Sequence, residues 1–141
     1  MPASGFARCL LHSALCEERL GRLPAYARIN RSLPAGVHPY LGLLPRVAGS
    51  PALARIATPR FPAEYLLRTT RVVIRHGDGF AFVDTERPAI VLYESYYRDG
   101  SPLDLYLDLL HELTHIRQLQ EGLDLWDERF EYIDRITEIE G

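Results

Sequence analysis

The segment from Ser101 to Gly122 constrains the fold more than any other part of the 141-residue chain. Ser101 and Pro102 predict a helix start, because serine can cap the free amide groups of the first turn and proline suits the first helical position. Gly122 is a plausible stop, so we expect a helix over about 102–120. On a helical wheel this helix is apolar around most of its circumference, with Arg117 as the main exception. We therefore expect it to be mostly buried.

One polar stripe interrupts this apolar helix, and it comprises Asp104, Asp108, His111, Glu112, His115 and Gln118. Histidines at positions i and i+4 lie one above the other on a helix face, so His111 and His115 can bind one metal ion. Glu112 can then take a proton from a metal-activated water and pass it to the leaving amine. Asp108, one turn before His111, is a candidate to orient its imidazole. The stripe predicts a zinc-dependent enzyme that hydrolyses peptide bonds, with Glu112 as general base.

The run His111-Glu112-Leu113-Thr114-His115, followed by Gln118, resembles the active helix of the zincin metallopeptidases, specifically of their minimal gluzincin-like members. The resemblance covers roughly residues 88–141. It implies a short mixed sheet packed on the active helix, followed by a helix that supplies the third zinc ligand. It also implies an edge strand that binds an extended peptide, and the segment 90–94 resembles that strand.

The third zinc ligand is expected to be a carboxylate, because no histidine follows His115 and the three-histidine metzincin pattern is absent. Residues 127–140 suit the third-ligand helix that the resemblance implies. Within them, Thr137-Glu138-Ile139-Glu140 resembles the Glu-x-Glu motif whose first glutamate binds the metal. Glu138 is the predicted ligand, and Glu131, two turns earlier on the same helix face, is the alternative. Two upstream histidines are rival ligands: His38 and His76.

Stabilisation of the transition state needs a hydrogen-bond donor for the oxyanion that forms on attack. The donor candidates are Tyr132 and Arg135 on the third-ligand helix, and Tyr96 and Tyr97 before the active helix. Each of these residue types has a structural role more often than a catalytic one.

The first 62 residues predict a helix and a wrapping segment. Residues 6–22 have apolar side chains at helical spacing and read as an amphipathic helix. Residues 24–62 contain seven prolines, which exclude long helices and central strands. We expect an extended segment with short helical turns around 25–31 and 50–57. Its apolar residues argue that it docks on a core, and they include Leu41, Leu43, Leu44 and Val47.

The middle of the chain predicts strands. The β-branched run 71–75, the turn Gly77-Asp78-Gly79 and the run 80–83 predict a hairpin, and 90–94 predicts a third strand. The expected fold class is α+β, with a small mixed sheet packed on the HExxH helix and a third-ligand helix after it. We expect one domain over 1–141, in which 63–141 form the catalytic core.

Charge and hydropathy bear on partners and location. The chain has no apolar run of 18 residues and no signal-peptide core, so we expect no membrane span and a cytoplasmic location. Residues 1–75 hold 11 Arg and 3 acids, whereas residues 76–141 hold 5 Arg and 16 acids. The arginines are scattered among prolines, so mutual neutralisation within one fold is favoured and nucleic-acid binding is not expected.

Two function classes follow from these patterns. The first is a zinc metallopeptidase that acts on a peptide or protein. The second is a non-catalytic or regulatory zincin-fold protein in which zinc is structural, with a link to a nucleic-acid-bound partner as one variant. Glu112 favours the first class, since a silent site could lose that carboxylate without penalty.

Overall fold

A computed structural model of the protein describes residues 23–122, so the predicted helices over 6–22 and 127–140 lie outside the described residues. In chain order the described elements are β1 (Gly36–Pro39), α1 (Tyr40–Leu43), α2 (Leu53–Ile56), α3 (Ala63–Thr69), β2 (Arg71–Arg75), β3 (Ala81–Asp84), β4 (Ala89–Tyr93), α4 (Glu94–Asp99) and α5 (Pro102–Gln120). Single 3-10 turns occur at Ala25–Ala27 and Val47–Gly49. These elements confirm the α+β class with a small mixed sheet, and α5 confirms the helix predicted over 102–120.

The sheet has the strand order β1-β2-β4-β3 across the described residues. Strand β2 pairs in parallel with β4, whereas the pairs β1–β2 and β3–β4 are antiparallel. The predicted hairpin between 71–75 and 80–83 is therefore wrong, because 80–83 returns onto β4 instead. The pairing has a physical reason. The side chains of β4 are buried on both faces of the sheet from Ala89 to Leu92. Strands of this kind are typical of the interior of a sheet, where neighbouring strands pair with both edges.

The position of β4 also corrects the expected peptide-binding strand. The segment 90–94 was expected at an edge, but β4 lies between β2 and β3. The edges of the described sheet are β1 and β3, and of these two β3 contacts helix α5. The edge strand next to the predicted active helix is thus β3.

The proline-rich segment docks on the core, as its apolar residues predicted. Leu43, Leu44 and Val47 are fully buried in one hydrophobic cluster with residues of the sheet and of α5, whereas Leu41 is exposed. Helical turns form at Ala25–Ala27 and over α2, within the two predicted regions. Strand β1 was not expected there. It lies at an edge and ends at a proline, which is where a sheet tolerates the missing amide hydrogen.

Buried tyrosines attach this proline-rich segment to the two C-terminal helices of the described chain. Tyr40 donates a hydrogen bond to the carbonyl oxygen of Leu109 at 2.9 Å. The hydroxyls of Ser50 and Tyr106 are hydrogen-bonded at 2.6 Å. Burial raises the pKa of Tyr40 well above its ordinary value and the pKa of Tyr106 to about 12, so both hydroxyls stay protonated at physiological pH.

Tyr97 makes a similar connection from α4. Its hydroxyl donates to the carbonyl oxygen of Asn30 and accepts the amide hydrogen of Leu33 at 3.1 Å. The Tyr97 side chain is completely buried. These bonds satisfy backbone groups that proline-rich chain cannot pair in a regular element.

Helix α5 lies at the centre of the described core and packs against β3 and β4. Its buried apolar residues are Leu105, Tyr106, Leu109, Leu110, Leu113 and Ile116. Hydrophobic burial on three sides fixes the rotation of this helix, and that rotation determines where its polar stripe faces. Between residues 23 and 122 no helix has both the length and the hydropathy needed to cross a bilayer.

Candidate metal site

The polar stripe of α5 runs from solvent into the interior. Near the start of the helix Asp104 is exposed, and the Ser101 side chain accepts its amide hydrogen at 3.1 Å, as expected of an N-cap. His111 and Glu112 are partly exposed. His115 is only 9% exposed and Gln118 is completely buried. The two histidines and Glu112 therefore lie where the stripe passes from the surface into the core.

His111 and His115 converge on one point. Their Nε2 atoms are 3.0 Å apart, and their rings are nearly perpendicular with centroids 4.5 Å apart. Two nitrogen ligands of one tetrahedral zinc ion lie roughly 3.3 Å apart, from Zn–N bonds of about 2.0–2.1 Å. The two ring nitrogens are hydrogen-bonded to each other at this distance, which is close to the separation of two ligands on one such metal ion.

Gln118 orients the second histidine. Its Oε1 atom accepts a hydrogen bond from Nδ1 of His115 at 2.9 Å. With the proton on Nδ1, Nε2 of His115 accepts the hydrogen bond from Nε2 of His111, and the same tautomer is the one that a metal ligand requires. The buried amide of Gln118 thus has a definite role beside the histidine pair.

On the prediction that His115 is a zinc ligand, replacing Gln118 by leucine should weaken zinc binding by roughly 10- to 100-fold, the usual cost of losing a group that orients a ligand histidine. The leucine side chain keeps most of the volume in this buried position but cannot accept the Nδ1 hydrogen. Competition with a chromogenic chelator measures the zinc dissociation constant. Gln118→Glu, which retains an acceptor, is the matched control and should keep the affinity closer to wild type. Equal affinity of wild type and Gln118→Leu would contradict this role.

Asp108 contacts Tyr96 of helix α4, whose hydroxyl donates a hydrogen bond to its Oδ2 atom. Burial raises the pKa of the Asp108 carboxyl, and the hydrogen bond from Tyr96 opposes that rise. The pKa of Tyr96 is raised too, first by burial and then by this hydrogen bond. The expected role of Asp108 toward His111 stays a prediction, whereas its attachment to α4 is a feature that the sequence did not reveal.

The two tyrosines of α4 differ as oxyanion donors. Tyr97 is wrong for that role, because it is completely buried and its hydroxyl hydrogen is bound to Asn30. Tyr96 is half-buried, and its hydroxyl hydrogen is bound to Asp108. The other two candidates, Tyr132 and Arg135, lie outside the described residues.

The rival histidine ligands are both engaged elsewhere. His38 on β1 is hydrogen-bonded through Nε2 to the carbonyl oxygen of Pro34 at 2.7 Å. His76 is hydrogen-bonded through Nδ1 to Glu94 at 3.0 Å. In the part of the chain between 23 and 122, no cluster of three or more His, Cys, Asp or Glu side chains could hold a metal ion. The predicted ligand Glu138 and its alternative Glu131 lie outside that part.

Arg117, the exception on the helical wheel, is 2% exposed. Its Nε atom donates to the carbonyl oxygen of Ile56 at 3.0 Å, and its Nη1 atom donates to Oε2 of Glu121 at 3.0 Å. The arginine therefore joins α5 to the end of α2. A helical wheel shows only that Arg117 breaks the apolar surface, and it cannot show which distant carbonyl accepts the hydrogen bond.

No protein-family model matches the chain, and comparison with curated proteins and with solved structures finds no significant similarity to either.

Proposed function

We propose that this protein is a cytoplasmic zinc-dependent metallopeptidase with a zincin-like fold, which hydrolyses peptide bonds of a peptide or protein substrate. The observation that carries the proposal is the 3.0 Å approach of His111 Nε2 to His115 Nε2, with Glu112 adjacent in the same partly buried stripe. The i+4 spacing alone brings the two rings together, but a solvated helix face would leave His115 and Gln118 exposed, whereas both are buried here.

The donor set suits zinc. Imidazole nitrogens are preferred ligands of this ion, and catalytic sites hold it with three protein ligands. His111 and His115 would supply two of them, and Glu138 is proposed as the third. Bound zinc would lower the pKa of a water molecule and polarise the scissile carbonyl group.

Glu112 is the proposed general base. It follows His111 directly in the same polar stripe, and it is partly exposed. A carboxylate in that position can take a proton from the attacking water and donate it to the leaving amine. Gln118 holds the tautomer of His115, and Asp108 connects the helix to Tyr96.

Strand β3 supports the binding of an extended substrate. The amide of Tyr93 donates to the carbonyl oxygen of Phe80 at 3.0 Å, so positions 80 and 82 pair with β4. By the alternation of antiparallel strands, the backbone groups of Ala81 and Val83 face away from β4. Among the described residues no strand lies on that side. A peptide could pair there along the edge nearest to α5.

The proposal is tested by measuring zinc in protein purified without chelators. Wild type should contain about one zinc ion per chain, and His111→Ala and His115→Ala should each lose it. His76→Ala is the matched control, because His76 is 82% exposed and its partner is Glu94. Glu138→Ala should weaken binding more than Glu131→Ala. A wild type that holds no zinc and cannot be reloaded would overturn the proposal.

A further inference from the structure

We propose that a cleft between Phe80 and Tyr96 binds one large apolar side chain of the substrate, preferably an aromatic one, close to the scissile bond. This inference rests on the proposed peptidase function and adds a substrate class to it. The cleft has a volume of about 400 Å³ and is lined by Gly79, Phe80, Ser95, Tyr96, Asp99 and Gly100. Pockets for small ligands measure roughly 300–1,000 Å³, and this cleft lies at the small end of that range.

An exposed aromatic ring forms one wall of the cleft. Phe80 is 73% exposed, the highest value among the large apolar residues of the described chain. Its ring stands edge-on to the ring of Tyr96 at a centroid distance of 5.3 Å and an angle of 75°. This pair leaves the rest of the Phe80 ring in contact with water. An apolar side chain in the cleft would cover that surface and add a third member to the aromatic pair.

A glycine keeps the cleft open beside Tyr96. A Cβ atom on Gly100 would lie 2.6 Å from the Tyr96 ring, closer than real contacts allow. Any side chain at this position would therefore displace the ring that forms the second wall. The absence of a side chain at Gly100 leaves Tyr96 free to hold its position against Phe80 and Asp108.

The cleft lies beside two elements of the proposed active site, helix α5 and strand β3. Tyr96 is hydrogen-bonded to Asp108, which lies three residues, or about 4.5 Å along the helix axis, before His111. Phe80 directly precedes β3, the edge strand proposed to pair with the substrate. A peptide paired along β3 and extended past its first residue would thus reach Phe80 and the cleft. Asp99 in the lining disfavours an acidic side chain there, because like charges repel.

The test uses zinc-loaded full-length protein and quenched fluorescent peptides with a constant Ala/Gly frame and one varied residue: Phe, Leu, Ala or Glu. The kcat/KM should be highest for Phe, intermediate for Leu, and roughly tenfold lower for Ala than for Phe, with Glu lowest. Phe80→Ala should abolish the preference for Phe over Ala. Phe82→Ala is the matched control and should retain it, because the ring of Phe82 packs against Tyr93 and Arg75 instead.

A second measurement separates this inference from the proposed function. Zinc-loaded Glu112→Gln protein, titrated with the same peptides and followed by fluorescence polarisation, reports binding without cleavage. Selective binding of the Phe peptide, lost in Glu112→Gln/Phe80→Ala, supports the cleft. If wild type then cleaves no peptide, only the proposed peptidase function is overturned. Cleavage or binding with equal preference for Phe, Ala and Glu overturns the cleft and leaves the peptidase function intact. Retention of the Phe preference in Phe80→Ala also overturns it.

Discussion

Replacing Glu112 by glutamine should leave zinc bound and lower kcat by roughly 10²- to 10⁴-fold, the range expected when a general base is removed. Glutamine has nearly the shape of glutamate, so His111 and His115 keep their positions and their metal. It cannot accept a proton at neutral pH, so attack by water loses its base. Zinc content by mass spectrometry and cleavage of the Phe-containing peptide measure the two effects.

Glu121→Gln is the matched control for this change. Glu121 follows the last turn of the same helix, but its carboxylate is bound to Arg117 and not to the histidine pair. Both zinc and activity should stay near wild type in this variant. Full activity in Glu112→Gln would exclude Glu112 as the base, and loss of zinc would make it a ligand. A wild type that holds zinc and cleaves no peptide would favour the structural-zinc alternative.

Replacing Arg117 by methionine should lower the free energy of unfolding by about 3 kcal/mol, because hydrogen bonds to a charged group contribute roughly 1.5–3 kcal/mol each and a buried acceptor loses its partner. The side chain is 2% exposed, and its Nε donates to the Ile56 carbonyl oxygen at the end of α2. Methionine fills similar space but donates no hydrogen bond. Urea denaturation followed by circular dichroism measures the change.

Two variants control for the contacts of Arg117. Glu121→Gln keeps the arginine and its bond to Ile56, and the neutral amide oxygen can still accept from Arg117, so it should cost less than Arg117→Met. Arg117→Lys keeps the charge but lacks the planar, multiple-donor group, so it should fall between the two. Wild-type stability of Arg117→Met would show that the bond to Ile56 contributes nothing. A loss as large in Glu121→Gln would assign the effect to the ion pair.

Local patterns predicted helix α5 and its stripe correctly. The cap at Ser101, the apolar spacing and the stop near Gly122 all act within a few residues, so they can be read directly from the chain. The i+4 spacing likewise placed the two histidines on one face, whereas the hydrogen bond from His115 to Gln118 was found only in the structure.

Local sequence patterns did not predict the strand pairing correctly. The turn signal at Gly77–Gly79 predicted that β2 and β3 pair, but pairing depends on which strand the whole core can bury on both faces. Strand β4 has that requirement, and it takes the central position beside β2. The edge strand next to α5 is therefore β3 and not β4, so the proposed substrate would bind along β3.

Helix α5 shows most clearly which features the sequence determines and which depend on tertiary structure. Its amino acids alone decide that two histidines and a glutamate share one stripe, because 3.6 residues per turn leave no other arrangement. Only the tertiary structure determines which residues of other elements contact this helix. Arg117 binds a carbonyl 61 residues away, and Asp108 and Tyr96 link two helices beside an aromatic cleft. Such contacts depend on how the elements pack around α5, and no local spacing encodes that.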